Sequence, residues 1–220
     1  EEVHRRILFW NTIDCRHRTE RYIRIVVEEG FKMTNFIVIC HGKSEIVLAK
    51  WIQNKTRVVL NIDSRNDGKN SVMINSLLEF MREGGYYDNS KLKRRYPNIE
   101  YKNRKGFKDL RIFIVMDVDN DESMVDMFMT KAMFKDCPLK DCIVPILNRK
   151  EMDGVFRSMG FDIDAGNKPE SYRDALNTTD VDQLLESLKL CDNTNLDEMI
   201  EEILTHDPSH QGNKRCNARK

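Results

Sequence analysis

The sequence predicts an α/β fold in which a mostly parallel sheet is flanked by helices. Apolar runs at 36–40, 112–116 and 142–147 indicate buried strands, because their residues do not alternate between apolar and polar. Segments with helical spacing of apolar residues separate these runs, which is typical of parallel strands joined by helical crossovers. The chain has 220 residues, of which 40% are hydrophobic and 33% charged, and this suits one domain with an appendage or two small domains.

Each predicted element is bounded by residues that start or stop it. Ser44 is predicted to cap the first helix, and the negative charge of Glu45 favours its first turn. The helix after the second strand stops at Gly84 and Gly85. The helix after the third strand is rich in methionine, which is more typical of core filling than of ligands. The predicted strands are 35–40, 57–62, 111–117 and 142–147, and the predicted helices are 45–53, 71–82, 123–134, 149–159, 169–176, 180–190 and 196–205.

The sequence divides into four expected regions. They are an N-terminal extension (1–32), the α/β domain (33–160), a helical C-terminal appendage (161–205) and a disordered tail (206–220). One hypothesis makes Met33 the natural start and the preceding residues a translated leader, since Glu-Glu-Gly can be encoded by a purine-rich ribosome-binding stretch. The alternative is a helix over 18–29 that packs against the domain.

Composition bounds the setting of the protein. No stretch approaches the ~20 apolar residues that a membrane-crossing helix needs, so no membrane partner is expected. The six cysteines are scattered without a CxxC pair, which favours reduced thiols in the cytoplasm. The formal net charge is zero, but 91–108 carries eight basic residues and one acidic residue. This uneven distribution indicates a phosphate-bearing partner better than the net charge does.

Two aspartates follow the third strand. Because side chains alternate along a strand, Asp117 and Asp119 project to the same side at its carboxyl end. Ligands gather at that edge of an open α/β sheet. Neighbouring carboxylates repel one another unless a cation lies between them, so the pair predicts a divalent metal ion. The alternative is an aspartate-rich turn that ends the strand and caps the next helix.

A second polar turn follows the first strand. Gly42 permits a tight turn after His41, and the helix that begins there offers N–H groups to an anion. The Gly-Lys-Ser-Glu sequence alone is a weak signal, because it lacks the spacing of a Walker A loop. If the first and third strands are neighbours, the turn from His41 to Glu45 meets Asp117 and Asp119 at one edge.

These two motifs together resemble the TOPRIM domain of primases, topoisomerases and OLD-type and RloB-like nucleases. In that family an apolar strand leads to Glu, Gly, two variable residues and an acid, and a later strand ends in Asp-x-Asp. The matching segments are 37–45 and 114–119, and the resemblance covers 35–147. It implies a metal-dependent nuclease of DNA or RNA that uses Mg²⁺ or Mn²⁺. The implied catalytic and metal-binding residues are His41, Glu45, Asp117 and Asp119.

The resemblance also implies a biological setting. Members of this kind often act in bacterial defence against phage or in nucleic-acid repair, frequently beside an ATPase. The second hypothesis is a non-catalytic nucleic-acid or nucleotide-binding module within a larger complex. A third is a plain interaction partner, which predicts affinity for neither metal nor nucleic acid.

His41 departs from the family pattern, which has glutamate at this position. An imidazole carries no negative charge and favours softer metals than Mg²⁺. The chain therefore uses Mn²⁺ or another transition metal, recruits Glu45, or has lost catalysis; alternatively, His41 only ends the strand. A calcium-binding EF loop starting at Asp117 fails, since Glu122 replaces the required glycine. A haloacid-dehalogenase-like phosphatase ranks low, because its aspartate motif normally follows the first strand.

Basic residues near these turns are candidates for contact with phosphate. Aromatic residues at 96, 101 and 107 interrupt the basic stretch, and their rings could stack on unpaired bases. The alternatives are solvated loops and ordinary residues at helix starts. The candidates are Lys43, Arg65, Lys69, Arg94, Arg95, Arg104, Lys105 and Arg149.

Overall fold

The computed structural model describes residues 34–102, 106–107, 109–117 and 122–207, without the side chain of Lys102. The described residues all fall in one of the two units into which the chain divides, Thr34–Lys220. The expected extension, Asp119, Arg104, Lys105 and positions 208–220 of the expected tail lie outside the described residues.

Four strands form a parallel sheet. They are β1 (Asn35–Cys40), β2 (Leu60–Asp63), β5 (Leu110–Asp117) and β6 (Ile143–Asn148), in the spatial order β2-β1-β5-β6. Two short strands, β3 (Tyr101–Lys102) and β4 (Gly106–Phe107), pair antiparallel as a separate ribbon. The predicted adjacency of the first and third major strands is confirmed, because β1 pairs with β5 along its whole length.

Eight α-helices join or follow these strands within the described residues. They are α1 (Lys43–Thr56), α2 (Leu77–Glu83), α3 (Asn89–Arg95), α4 (Glu122–Met129), α5 (Met152–Ser158), α6 (Lys168–Asn177), α7 (Val181–Lys189) and α8 (Leu196–Thr205). None of these helices combines the length and the apolar character needed to cross a membrane.

The sheet is covered on both faces, which confirms the predicted α/β fold. Alternate residues of β1 point to opposite faces: Phe36 and Val38 pack with α1 and α5–α8, whereas Ile37 and Ile39 pack with α2–α4. The three C-terminal helices, expected as an appendage, contribute to the first of these cores. His206 and Asp207, at the start of the expected tail, also pack here: the His206 ring lies 5.4 Å from the Phe36 ring, and Asp207 is buried.

Several predicted boundaries are wrong, each for a local reason. The N-cap of α1 is Gly42, not Ser44, because the Glu45 carboxylate reaches back to the Gly42 N–H at 2.8 Å. The second strand begins at Leu60, since Arg57 ends α1 in the left-handed region (φ 56°) and three residues are spent on the turn. The methionine-rich helix ends at Met129, followed by a 3₁₀ turn.

Two further helices begin later than predicted. The helix predicted at 71–82 begins as a 3₁₀ turn at Ile74 and becomes α-helical only at Leu77. The helix predicted at 149–159 begins at Met152, because the main chain of Arg149 donates to Asn193 O. The basic stretch, for which no element was predicted, contains the end of α3 and the β3–β4 ribbon.

Candidate active site

His41 lies where the carboxyl ends of β1 and β5 meet. Its backbone N–H donates to Val115 O at 3.0 Å, and its carbonyl accepts the Val72 N–H at 2.8 Å. The ring Nδ1 lies 3.0 Å from Val72 O. A carbonyl can only accept, so this contact assigns the proton to Nδ1 and leaves the Nε2 lone pair of a neutral ring for a metal ion or a proton. The half-buried imidazole is thus fixed in orientation.

Glu45 is a buried carboxylate in the first turn of α1. Its side chain is 4% exposed, and Oε2 accepts the Gly42 N–H. Burial first, and then the negative charge of Asp117, raise its pKa to about 7. The Gly42 hydrogen bond and the charge of His41 oppose this rise. Glu45 therefore changes protonation state near neutral pH.

Asp117 is the last residue of β5, and the neighbouring strand holds it in place. The Asn148 side-chain amide donates to Asp117 Oδ1 at 2.9 Å, and the Met152 N–H at the start of α5 donates to the same carboxylate. Thr194 Oγ1 in turn donates to Asn148 Oδ1 at 2.7 Å. Burial raises the pKa of Asp117, whereas the Asn148 hydrogen bond and the charge of His41 lower it.

The buried carboxylate of Asp153 in α5 follows Met152, whose N–H contacts Asp117. Tyr172 Oη donates to Asp153 Oδ1 at 2.8 Å, and Lys168 Nζ lies 2.5 Å from Oδ2. Burial and Asp153 raise the pKa of the fully buried Tyr172, and the charges of Glu45 and Asp117 add to this rise. Helix α6, which carries Lys168 and Tyr172, packs against α1, the helix that carries Glu45.

Sequence reasoning missed four of these side chains. They are Asn148, whose amide orients Asp117, and Lys168, Tyr172 and Thr194. The last three come from segments far along the chain and have no motif spacing to the two predicted turns. The only available signal is that Lys168 and Tyr172 are four residues apart and therefore lie on one face of α6.

The donor set suits a divalent cation in chemistry, although it does not complete a site. The buried Glu45 carboxylate, whose pKa the half-buried Asp117 raises, would be relieved by a cation, and an imidazole lone pair lies nearby. Within the described residues, however, no three His, Cys, Asp or Glu side chains are arranged to hold a metal ion. A cation held by the Glu45 and Asp117 carboxylates would thus complete its coordination with water or substrate oxygens.

Of the predicted phosphate-binding residues near the carboxyl edge of the sheet, three are exposed and one is half-buried. Lys43, Lys69 and Arg149 are exposed and follow β1, β2 and β6 at the carboxyl edge. The loop after β2 lies against the start of α1 at Gly68. A side chain at this position would bring its Cβ within 2.6 Å of Ile46 Cδ1, and the left-handed backbone (φ +76°) also favours glycine. Arg65, half-buried, lies over the Phe80 ring at 5.9 Å.

Another buried carboxylate, Asp63, ends β2 at the same edge. It is 4% exposed, and its oxygens meet Arg95 Nη2 at 2.6 Å, Tyr86 Oη at 2.6 Å and Tyr96 Oη at 3.2 Å. Burial first, and then Asp63, raises the pKa of Tyr96 to about 12 and also raises that of Tyr86. Both Arg94 and Arg95 are exposed, but Arg95 is bound to Asp63, whereas no described carboxylate pairs with Arg94.

Fold and site together define a parallel α/β protein with a polar site at the point where the strand order reverses, between β1 and β5. Comparisons with protein-family models, with curated proteins and with solved structures find no match for this chain.

Proposed function

We propose that the protein is a metal-dependent nuclease that cleaves phosphodiester bonds in DNA or RNA. The observation that carries this proposal is the meeting of His41, Glu45 and Asp117 at the β1–β5 edge, where both carboxylates have raised pKa values. Raised proton affinity in a polar cleft is typical of acid–base groups and of metal ligands. The resemblance of the two turns to TOPRIM nucleases supports the same chemistry.

Each side chain has a role in this proposal. Glu45 and Asp117 would hold Mg²⁺ or Mn²⁺, with His41 Nε2 as a nitrogen donor or as the base that takes a proton from water. The ion would polarise the phosphate and lower the pKa of a bound water molecule. Glu45, with a pKa of about 7, can accept or release a proton at neutral pH. Lys43 and Lys69 would neutralise the phosphate.

The proposal extends to the setting of the protein. The four described cysteines, Cys40, Cys137, Cys142 and Cys191, are free thiols, which suits a reducing cytoplasm. The TOPRIM resemblance supports a role in bacterial defence against phage beside an ATPase partner.

The second candidate function is a non-catalytic nucleic-acid or nucleotide-binding module. Two observations favour it: His41 replaces the family glutamate, and Glu45 already satisfies the Gly42 N–H as a helix cap. The variant His41→Glu separates the candidates. If the protein is a nuclease that relies on the imidazole, His41→Glu loses cleavage activity. If it is a non-catalytic module, the wild type does not cleave, and His41→Glu either gains cleavage or also shows none.

The direct test incubates labelled single- and double-stranded DNA and RNA with the protein and Mg²⁺, Mn²⁺ or chelator. We expect cleavage with metal, and a fall on the order of 100-fold in Asp117→Asn and Glu45→Gln. Glu45→Gln keeps an acceptor for the Gly42 N–H, so its loss would reflect charge and proton transfer. The matched control is Asp126→Asn, an exposed residue of α4. Unchanged product yields in Asp117→Asn would overturn the proposal.

Thermal denaturation gives a readout that does not depend on activity. A ligand that binds only the folded state at tenfold its dissociation constant stabilises it by about 1.4 kcal/mol. We expect Mn²⁺ to raise the melting temperature of the wild type and of Asp126→Asn but not of Asp117→Asn. Equal shifts in all three proteins would place any bound metal elsewhere.

A further inference from the structure

We propose that the exposed face of α3, together with Tyr87 and Tyr101, binds single-stranded nucleic acid and leads it to the β1–β5 edge. The destination of the strand rests on the proposed nuclease function. The binding itself does not, because it depends on other residues and can be measured without metal.

The first observation is uncompensated positive charge. Lys91, Lys93 and Arg94 are exposed on a helix of seven residues, and none of the described carboxylates forms an ion pair with them. The nearest acid in the helix, Asp88, is occupied as the N-cap and accepts the N–H groups of Ser90 and Lys91. Three cations within one turn, none of them paired with a described carboxylate, match the charge density of a phosphate backbone.

The second observation is a pair of partly exposed aromatic rings, each with a cation over it. The Arg82 guanidinium lies 5.1 Å from the Tyr87 ring centroid, and Lys93 Nζ lies 5.5 Å from that of Tyr101. The Tyr101 ring is supported edge-to-face by Phe107 at 5.1 Å. Bases stack on such rings and on guanidinium planes only when they are unpaired, which favours a single strand over a duplex.

The third observation connects this surface to the candidate active site. Arg95, the last residue of α3, is bound to Asp63 at the carboxyl end of β2, and Tyr86, next to Tyr87, donates to the same carboxylate. Only β1 separates β2 from β5. The lateral distance from the Asp63 strand to the Asp117 strand is therefore about 10 Å. A single-stranded nucleic acid bound along α3 would therefore reach the edge of the sheet at which the His41–Glu45 turn meets Asp117.

The test measures fluorescence anisotropy of labelled oligonucleotides of about 20 nucleotides, in chelator, over a series of salt concentrations. We expect tighter binding of single strands than of the duplex, and a logarithmic salt slope that falls by about 0.7 for each phosphate contact removed. Lys93→Ala/Arg94→Ala should lower that slope, and Tyr101→Leu should weaken binding about 10-fold while Tyr101→Phe retains it. The matched control is Lys50→Ala/Lys55→Ala, which removes the same charge from exposed positions of α1 on the other face of the sheet.

The outcomes separate this inference from the proposed function. Single-strand binding that requires α3, in a protein without cleavage, supports the surface and overturns the nuclease. If Lys93→Ala/Arg94→Ala changes neither binding nor cleavage, the proposed binding surface on α3 is wrong, and the proposed nuclease function is unaffected. Equal or tighter duplex binding, or equal competition by polyglutamate, would overturn the assignment to single-stranded nucleic acid. Circular dichroism of Tyr101→Leu and Tyr101→Phe, expected to match, excludes unfolding as the cause of lost binding.

Discussion

Asp63 and Asp117 are aspartates at the carboxyl ends of two strands in the same sheet, but their surroundings differ. Asp63 receives a guanidinium and two phenol hydroxyls, so its charge and its hydrogen-bonding capacity are met within the fold. Asp117 receives an amide and a backbone N–H, and its charged neighbour Glu45 is a second carboxylate. The first cluster is complete, whereas the second retains excess negative charge.

This difference separates a carboxylate that serves folding from carboxylates that are available to a ligand. Buried charge that is fully partnered can be removed only at the expense of stability. Buried carboxylates that repel one another cost stability and persist where binding or chemistry requires them. The comparison therefore makes opposite predictions for the same kind of substitution at the two positions.

The largest expected effect is on stability, at Asp63. Asp63→Ala leaves the Tyr86 and Tyr96 hydroxyls with only each other, 3.1 Å apart, and one guanidinium without its partner, which we expect to cost about 4 kcal/mol of unfolding free energy. Asp63→Asn retains an acceptor oxygen and should cost less. Asp117→Ala removes a carboxylate that Glu45 repels, so its cost should be smaller still. Urea denaturation measures all three, and a loss in Asp117→Ala as large as that in Asp63→Ala would contradict the comparison.

The next effect is the pH dependence of stability that Glu45 produces. Its folded-state pKa of about 7 exceeds its ordinary value of 4.5, so the folded protein retains a proton that the unfolded chain releases between these values. The resulting stabilisation is complete below about pH 4.5 and is lost as the pH rises through about 7, with a size on the order of 3 kcal/mol. The raised pKa of Asp117 acts with the same sign.

Glu45→Gln supplies the matched measurement. Its unfolding free energy should fall less than that of the wild type between about pH 5 and about pH 8. Groups that titrate in both proteins cancel in the difference, so urea denaturation at the two pH values isolates Glu45. Parallel pH profiles for the two proteins would show that the carboxylate is not strained by its burial.

The sequence predicted the layers of the fold and the meeting of the two turns, because both follow from local pattern. Uninterrupted apolar runs identify strands buried on two faces, and the parallel neighbours β1 and β5 bring His41, Glu45 and Asp117 to one edge. Boundaries were less accurate where a side chain outcompeted propensity. Glu45, for example, capped α1 from within and moved its start to Lys43.

What could not be predicted is what the side chains contact. Arg95 and Arg94 are adjacent members of one basic stretch, yet Arg95 binds Asp63, which lies 32 positions earlier. Lys168 and Tyr172 reach Asp153 through the packing of α6 on the first face of the sheet. Contacts of this range depend on tertiary packing, and no spacing within a single sequence encodes them.

The smallest effect concerns Asn148, which links Asp117 to the α7–α8 connection. Asn148→Ala removes the amide donor of Asp117 Oδ1 and the acceptor of the Thr194 hydroxyl, for which we expect a loss of about 2 kcal/mol in unfolding free energy. In the wild type the Asn148 hydrogen bond lowers the pKa of Asp117. Its removal should therefore raise that pKa and shift the acid limb of any pH–rate profile to higher pH. Thr194→Val keeps the Asn148 amide on Asp117 but removes the hydroxyl that donates to Asn148 and accepts the Leu196 N–H, so it should also lose about 2 kcal/mol while the Asp117 hydrogen bond stays in place. If Asn148→Ala were destabilised while its pH–rate profile stayed that of the wild type, Asn148 would serve the sheet alone and would not position the carboxylate.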